Sequence, residues 1–414
     1  MKPWKRSLGA VAVLLTVFSA ACGDDNDSAT EETPFTLGVV VPSSGPIGVV
    51  GPQAILGVDA AVKQLNANGG ILGRQVRVVT RDSKSQVETG VLAARDLLDN
   101  ERPDFLLPDT ITTNALGILP FTTDAELFTM NNASGAALNN PAQFPYHFVF
   151  SNSKAQDVAA MISGTRKLVE LGRLPKAETA ALLIYNSGVA QIVSDTMNKQ
   201  LGEAGIDIVA EERYEPSASD ITVQLQQIRS KNPDVIYLSA QGPGVVVAMT
   251  GLRDIGWDDA IVMADASSAL QDLDTILPPE NKANLYFPAL RPATREGDVA
   301  QGEIIDRLEA AGKIESLFVS VLTYDIVIWS AWAIEKAGTT DAEAVTKVLE
   351  SVGSLPDDQL PASRALRINP GYSPDNHSLG GGDLSQAWAL AHVGPLISGT
   401  FPKLADIAIP AHVD

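Results

Sequence analysis

The sequence predicts an α/β protein built from doubly wound parallel sheets and divided into two halves. Short apolar runs rich in β-branched residues alternate with amphipathic helical patterns from about residue 36 to 400, as is typical of parallel sheets covered by helices. The alternation breaks between Asn139 and Ser153, where proline and aromatic residues cluster and the chain is expected to cross to a second half.

The first predicted unit is a strand, a helix and a parallel strand between Leu37 and Asp82. The apolar run Leu37–Val41 has the length and composition of a strand buried on both faces. The helix after it ends at Asn68–Gly70, whose residues adopt positive φ at low cost, and the second strand covers Val76–Val79. The apolar stripe of the helix consists of Ile55, Val58, Ala61, Val62 and Leu65.

The same alternation continues through the first half. It predicts, in order, a helix over Gln86–Asn100, a strand over Phe105–Leu107, a helix from about Thr113 to Asp124 and a strand over Leu127–Met130. Polar loops follow both strands, at residues 108–114 and 131–135. Because doubly wound sheets bind ligands at the carboxyl ends of their strands, both loops are candidate binding loops.

A fresh alternation begins after residue 153. It predicts Lys154–Leu171 (helix), Ala180–Tyr185 (strand), Val189–Ala204 (helix), Ile206–Ala210 (strand), Ile221–Lys231 (helix), Val235–Leu238 (strand), Val245–Ile255 (helix) and Ile261–Ala264 (strand). Further helices are predicted at about 302–311, 318–336 and 341–352, and a last strand over 386–392.

The string SGPIGVVGPQAILGVDAAVKQLNANGGILGRQVRVVTRDS resembles the opening of the type I periplasmic binding proteins of the branched-chain amino-acid transport class. Its most specific part is Asn66–Arg74, a helix end followed by a double glycine and a tight turn. The resemblance implies two lobes joined by three hinge crossings, lobe 1 from residues 35–145 and 289–356 and lobe 2 from 146–288 and 357–405. The second and third crossings would fall near Leu285–Pro288 and Ala365–Ile368, and such a hinge allows closure on a ligand.

The N-terminus has the pattern of a signal peptide over residues 1–21. A basic segment precedes the apolar run Leu8–Phe18, which is too short to span a bilayer comfortably. Small residues then precede Cys22, the only cysteine of the chain, so no intramolecular disulfide is possible. This resembles the lipobox of bacterial lipoproteins, with serine at position 19 where leucine is commonest; the alternative is a chance cysteine.

Residues 22–34 are expected to form a lipidated cysteine and a disordered tether, because the segment is polar, acidic and free of aromatic residues. A flexible tether of about 12 residues spans roughly 20 Å. The lipid would anchor the protein to the outer face of the cell membrane or in the periplasm. Removal of three basic residues with the signal peptide changes the formal charge from −20 to −23, which argues against nucleic acid as a partner.

The sequence contains no recognisable catalytic set, so no enzyme is expected. It has no Gly-x-Ser-x-Gly elbow and no His-Glu-x-x-His motif, and its four histidines (His147, His377, His392 and His412) lack the spacing of metal ligands. The Gly/Ser tract at 377–383 lacks the Gly-Lys-Ser/Thr ending of a phosphate loop and is interpreted as a surface turn. We therefore expect neither metal nor cofactor.

The resemblance also implies which residues bind the ligand. Family members hold an amino acid's carboxylate with hydroxyl and backbone N–H groups from two loops of lobe 1, and the corresponding residues here are Thr110, Thr112, Ala133, Ser134 and Gly135. Thr112 takes the place of the hydroxyl donor, although a helix N-cap is the alternative role. Gly135 stands where amino-acid binders carry threonine, and Ser134 is a possible substitute.

The ammonium end of the expected site is less well matched. Ala266 stands at the place of the family's glutamate, with Asp265 one residue earlier as either a ligand contact or a loop carboxylate. Val189 and Gln241 fall where tyrosines are usual, whereas Phe318 keeps an aromatic contact. A buried ammonium without a carboxylate costs several kcal/mol. The cleft is therefore expected to be roomier and less charged than an amino-acid site, and an acid, amide or aromatic ligand is as suitable as an amino acid.

These observations favour a monomeric solute-binding lipoprotein that passes a small ligand to an ABC permease. The first alternative is a sensor of the same fold that signals to a membrane partner. A hydrolase would need a nucleophile set that the sequence lacks, and a surface interaction module would bind no small ligand.

Overall fold

A computed structural model describes residues 33–240, 243–270, 272–290, 299–385, 387–395, 401–410 and 413. The predicted signal peptide, Cys22, nearly all of the predicted tether and Gln241 lie outside the described residues.

The described strands form two sheets. They are β1 (Phe35–Val41), β2 (Val76–Asp82), β3 (Phe105–Pro108), β4 (Thr129–Asn131), β5 (His147–Val149), β6 (Thr179–Tyr185), β7 (Asp207–Tyr214), β8 (Val235–Ser239), β9 (Val262–Ala264), β10 (Leu285–Leu290), β11 (Trp388–His392) and β12 (Lys403–Ile407). Sheet I has the order β2-β1-β3-β4-β5 and sheet II the order β12-β11-β10-β9-β8-β6-β7.

The described α-helices are distributed around these sheets. They are α1 (Val50–Ala67), α2 (Val87–Asp96), α3 (Thr112–Asp124), α4 (Lys154–Glu170), α5 (Ala190–Glu203), α6 (Thr222–Lys231), α7 (Gly244–Asp254), α8 (Leu273–Ile276), α9 (Pro279–Lys282), α10 (Val299–Ala311), α11 (Leu317–Ala337) and α12 (Ala342–Glu350). Helix α2 continues into a π-helical turn over Leu97–Glu101.

All five strands of sheet I are parallel, so their carboxyl ends lie at one edge. Strand β1 lies between β2 and β3 and is buried along its whole length, as its apolar run predicts. Strand β5 pairs with β4 from Thr129↔His147 to Asn131↔Val149. Sheet I therefore extends four residues beyond the lobe boundary expected at 145/146.

Sheet II combines parallel and antiparallel pairing. Strands β6 to β10 pair in parallel, whereas β11 is antiparallel to both β10 and β12. After β10 the chain continues into helices that pack with sheet I. It then returns to sheet II at the edge where β10 ended, so β11 runs antiparallel to β10. Residues 285–288, expected to be a crossing, are a buried strand of the sheet.

The Asn66–Arg74 motif has a structural role. The side chain of Asn66 accepts a hydrogen bond from the N–H of Val76 (2.7 Å) and donates one to its carbonyl (3.0 Å). Gly70 has a φ of +86°, and a Cβ there would lie 1.9 Å from the carbonyl oxygen of Arg74. The motif thus fixes the turn from α1 into β2, at the amino end of sheet I.

Helix α11 is the central helix of the first layer, which consists of sheet I and the helices α1, α10, α11 and α12 beside it. By length and composition it could cross a membrane, but 83% of its most apolar 18-residue stretch is buried inside the protein, as is typical of a core helix. It packs against α1 and β4, while α10 contacts α1 and α12 contacts α11. Segments more than 250 residues apart in sequence therefore complete one layer around sheet I.

The described elements change from one sheet to the other three times along the chain, after β5, after β10 and after α12. The first and third passages are hydrogen-bonded together, because the N–H of Val149 donates to the carbonyl of His377 (2.8 Å) and the hydroxyl of Tyr372 donates to the carbonyl of Val149 (3.2 Å). The buried carboxylate of Asp325 in α11 accepts the N–H of Ala365 (2.5 Å) and so ties the third passage to the first layer.

The contact between α1 and α11 makes a testable prediction at Gly57. A Cβ on this residue would lie 2.2 Å from both the carbonyl oxygen of Ser320 and Oγ1 of Thr323. Gly57→Ala should therefore destabilise the protein by about 1–3 kcal/mol in urea unfolding, the usual cost of overpacking.

Gly202 in α5 provides the matched control, because a Cβ there would meet no atom within 4 Å. Gly202→Ala should raise stability by up to about 1 kcal/mol through helix propensity. Equal effects at the two positions would contradict the close approach of α1 and α11.

Candidate functional site

A cavity of about 280 Å³ lies where loops from the two sheets meet. From sheet I it is lined by the loops that follow β1, β3 and β4, and from sheet II by the loops that follow β6 and β9 and by the start of α4. The first turns of α11 complete the wall through Phe318 and Val319. Ligand pockets are typically on the order of 300–1,000 Å³, so the cavity suits a small organic molecule.

The loop after β1 is held in place by Asp82, the last residue of β2. Its carboxylate accepts the N–H of Ser43 (2.9 Å) and the hydroxyl of Ser44 (2.6 Å). Burial raises the pKa of Asp82, but these hydrogen bonds outweigh burial and keep the pKa below its usual value. Asp82 thus orients the residues that line the cavity from this side, of which Ile47 and Val50 are two.

The loop after β3 presents hydrogen-bond donors to the cavity. Helix α3 begins at Thr112 without a side-chain cap, and within the described chain the N–H groups of Thr112 and Thr113 donate to no acceptor. The hydroxyl oxygen of Thr110 is buried and also has no partner in this part of the structure. Unpaired donors at a helix start favour a negatively charged ligand group without placing a formal charge in the wall.

Asp109 holds in place the residues 110–113, which we call the donor loop. Its φ is +62°, and its carboxylate accepts the N–H groups of Thr110 (2.7 Å) and Ile111 (2.9 Å) and the side-chain amide of Asn114 (2.9 Å). Burial raises the pKa of Asp109, and the hydrogen bonds oppose that effect. Asp109 therefore fixes the loop and leaves the N–H groups after Ile111 for the cavity.

The loop after β4 explains why glycine occupies position 135. A Cβ on Gly135 would lie 2.1 Å from Cγ2 of Thr112, so a threonine there would collide with the threonine that lines the cavity. Ser134 lines the cavity, whereas Ala133 and Gly135 are not among the described lining residues. Ala133 instead packs in a small apolar cluster with residues of α3 and β5.

The sheet II wall includes Val189 but not Asp265. The carboxylate of Asp265 is buried and accepts the hydroxyls of Ser239 (3.1 Å), Ser267 (2.8 Å) and Ser268 (2.9 Å). It therefore lies beneath the turn that follows β9, and Ala266 and Ser267 form the wall above it.

Lys154 and Asp157 are the charged residues among the described lining of the cavity, and the sequence analysis did not identify either. Both lie in the first turn of α4, which begins with a capping box between Ser153 and Gln156. Three-residue spacing places the two side chains on one face of the helix, with Nζ 3.6 Å from Oδ2. The sequence signal that could have identified them is a lysine and an aspartate three residues apart, directly after the first crossing.

The two charges influence each other strongly because Asp157 is buried and Lys154 is largely buried. Burial lowers the pKa of Lys154, but the carboxylates of Asp157 and Asp265 outweigh burial and raise it to about 12. Burial raises the pKa of Asp157, the ammonium of Lys154 opposes this, and the nearby Asp265 carboxylate adds to it. Lys154 is therefore protonated at neutral pH.

Three polar atoms of lining residues are buried without a hydrogen-bond partner in the described chain. They are the hydroxyl oxygen of Thr110 and the side-chain carbonyl oxygens of Asn132 and Asn152. An unsatisfied buried polar group costs about 1–3 kcal/mol, so these atoms favour a cavity occupied by a polar ligand or by water.

At Gly188 the two walls come into contact. A Cβ on this residue, in the loop after β6, would lie 3.1 Å from Cγ2 of Thr113 in the loop after β3. The lobes are thus close together along this side of the cavity, and glycine permits the approach.

The sequence profile of the periplasmic binding protein family matches residues 34–382. The chain belongs to this family. A Leu/Ile/Val-binding protein of Rhizobium johnstonii, BraC3, is 24% identical over 333 residues, which cover 78% of this chain and 85% of the relative. The expected family is therefore confirmed, and its members are solute-binding proteins rather than enzymes.

Solved structures of other periplasmic binding proteins share the fold. The substrate-binding protein LivJ of Streptococcus pneumoniae, in complex with isoleucine, has a TM-score of 0.72 at 18% identity and covers 91% of this chain and 100% of its own. A solute-binding protein of an ABC transporter from Rhodopseudomonas palustris, in complex with 3,4-dihydroxy benzoic acid, has a TM-score of 0.73 at 16% identity and covers 91% and 98%. The two-sheet α/β architecture predicted from the sequence is confirmed.

Within the described residues of this periplasmic binding protein, no group of three or more His, Cys, Asp or Glu side chains is placed to hold a metal ion.

The contact between Gly135 and Thr112 can be tested without a ligand. Gly135→Ala should destabilise the protein by about 1–2 kcal/mol because its new methyl group overlaps Thr112. Thr112→Ala removes the overlapping atoms, so the double variant should regain most of this loss in urea unfolding. Additive effects of the two substitutions would contradict the direct contact.

Proposed function

We propose that this protein is an extracytoplasmic solute receptor that traps a small carboxylate-bearing ligand between its lobes and delivers it to an ABC permease. The observation that carries the proposal is the wall at residues 110–113, where free N–H groups and an unpaired hydroxyl border a small cavity. Backbone and hydroxyl donors stabilise a carboxylate well in a buried site.

The comparisons support a carboxylate as the common feature of the ligand. The S. pneumoniae protein is in complex with an amino acid and the R. palustris protein with an aromatic acid, and these two ligands share little besides a carboxylate. The R. palustris protein is a solute-binding protein of an ABC transporter, which supports delivery to a permease.

We assign direct ligand contact to Thr110, Thr112 and Ser134 on the polar side and to Val189 and Phe318 on the apolar side. All five line the cavity. Ala133 and Gly135 have a supporting role in this proposal, because they form the surface against which the donor loop packs. Asp265 acts through the serine hydroxyls that it holds, which orient the turn at Ala266–Ser268.

We further propose that Cys22 is the lipid-attachment site and that the chain after it tethers the receptor to the membrane. The proposal rests on the lipobox-like residues before Cys22 and on the absence of any other cysteine in the sequence.

A thermal-shift panel of amino acids, amides, aromatic acids, aliphatic acids and polyols tests the receptor function on protein that begins after Cys22. At least one class of carboxylate should raise the melting temperature in a concentration-dependent way, because a ligand that binds only the folded state stabilises it. No stabilisation by any member of the panel would contradict the proposal and favour a surface interaction module.

The role of Thr112 is tested by Thr112→Val on a panel member that binds. Loss of a hydroxyl donor to a carboxylate should weaken binding by about 1–3 kcal/mol in calorimetry. Thr89→Val is the matched control, because Thr89 also lies in the first turn of a helix beside sheet I but does not line the cavity. Unchanged affinity in Thr112→Val would show that Thr112 only starts helix α3.

The anchor is tested by Cys22→Ser in the full-length protein expressed in a bacterial host. The wild-type protein should incorporate labelled palmitate and sediment with membranes, whereas Cys22→Ser should lose both properties. Retention of the variant in the membrane fraction would contradict lipid attachment at Cys22.

A further inference from the structure

We propose that Lys154 and Asp157 determine ligand specificity by binding a neutral group that both donates and accepts hydrogen bonds, such as a hydroxyl or a carboxamide, and that they reject an ammonium group. This inference rests on the proposed function, because it concerns the second polar group of the carboxylate ligand. It makes the preferred ligand a hydroxy acid or an acid amide rather than a zwitterionic amino acid.

Lys154 has donors to spare inside the cavity. Its side chain is 20% exposed, and among the described residues its ammonium group has one ion pair, at 3.6 Å with Asp157. Within the described chain no hydrogen bond from Nζ is shorter than this distance. An ammonium carries three N–H donors, so a ligand oxygen can bind Lys154 without displacing a protein partner.

Asp157 has acceptor capacity to spare at the same place. Its side chain is 5% exposed, with Oδ2 facing Lys154 at 3.6 Å and Oδ1 accepting the N–H of Ala266 at 3.4 Å. Both distances are longer than those of good charge-assisted hydrogen bonds, which are about 2.7–2.9 Å. A buried ion pair needs additional hydrogen bonds to offset its desolvation, and a ligand group placed against the pair supplies them.

The charges around the pair select against charged ligand groups. A ligand ammonium beside Asp157 would also lie beside the ammonium of Lys154 in the cavity, whereas the Asp265 carboxylate that would attract it lies behind the wall and is bound by three serine hydroxyls. A ligand carboxylate beside Lys154 would lie beside Asp157, with the carboxylate of Asp265 behind the wall. A neutral group that accepts from Lys154 and donates to Asp157 satisfies both residues and repels neither.

Asn152 provides a second acceptor close to this pair. It precedes Lys154 by two residues, is 4% exposed, lines the cavity and has a side-chain oxygen without a partner in the described chain. A carboxamide, with two N–H donors, can therefore bind both Asp157 and Asn152.

The experiment compares ligands that differ in one substituent on a common skeleton. The aliphatic series is 4-methylpentanoate, 2-hydroxy-4-methylpentanoate and leucine, and the aromatic series is 4-methylbenzoate, 4-hydroxymethylbenzoate and 4-aminomethylbenzoate. Dissociation constants are measured by calorimetry at pH 7.5, and the same three substituents are compared on the skeleton of any other acid that the panel identifies. On a skeleton that binds, the hydroxyl form should bind at least tenfold more tightly than the ammonium form.

Lys154→Met tests whether the pair causes this preference. The dissociation constant of the ammonium form divided by that of the hydroxyl form should fall at least tenfold in the variant, because the ammonium of Lys154 and its N–H donors are gone. Lys347→Met is the control, since Lys347 is exposed in α12 and pairs with Glu343 away from the cavity; it should leave the ratio unchanged. If Lys154→Met fails to fold because Asp157 is left unpaired, the double variant Lys154→Met/Asp157→Leu removes both charges and should lose the preference in the same way.

The outcomes separate this inference from the proposed function. Tighter binding of the ammonium form, or a preference that survives the loss of Lys154, would overturn the inference and leave the receptor function standing. Failure of every acid to bind would overturn the receptor function and the inference together.

Discussion

The parallel strands of sheet I all end at one edge, and this arrangement leaves backbone donors there that the sheet cannot pair. Helix α3 begins at that edge, and the N–H groups of its first turn have no intrahelical acceptor. Asp109 pairs with the N–H groups of Thr110 and Ile111, while those of Thr112 and Thr113, two residues that line the cavity, have no acceptor in the described chain. The proposed carboxylate site thus depends on where a parallel sheet ends.

The long-range assembly of the first layer supports this edge. Helix α11 packs its apolar surface against α1, with Gly57 permitting close approach to Ser320. The same helix supplies Phe318 to the cavity and Asp325 to the third passage of the chain. One core helix therefore connects the binding wall, the core of sheet I and the segment that leads to sheet II.

The two walls of the cavity differ in how they present charge. The sheet I wall presents neutral N–H donors, and its one nearby carboxylate, Asp109, is already hydrogen-bonded within its own loop. The sheet II wall instead contains the Lys154–Asp157 ion pair, whose two charged groups are 3.6 Å apart. Asp265 accepts three serine hydroxyls beneath the surface, so it acts on the cavity through its negative charge and does not line it. A ligand that is anionic at one end and neutral but polar at the other matches this distribution of charge.

Local patterns in the sequence determined most of the secondary structure and the position of the donor loop. The apolar runs of β1 and β3 and the helix patterns between them depend on periodicity within a few residues, and the loop after β3 follows directly from where that strand ends. The glycines after α1 are required by a positive φ and by the carbonyl of Arg74, so the motif that identifies the family also has a local cause.

The tertiary structure decided which side chains reach the cavity. Asp157 lines the cavity and Asp265 does not, because Ser239, 26 residues earlier in the chain, helps to hold Asp265 beneath the wall. The glycine at position 135 is explained only by the side chain of Thr112 across the loop. The antiparallel direction of β11 likewise follows from the path of the chain through the first layer. Each outcome depends on contacts between distant residues, which periodicity and local spacing do not encode.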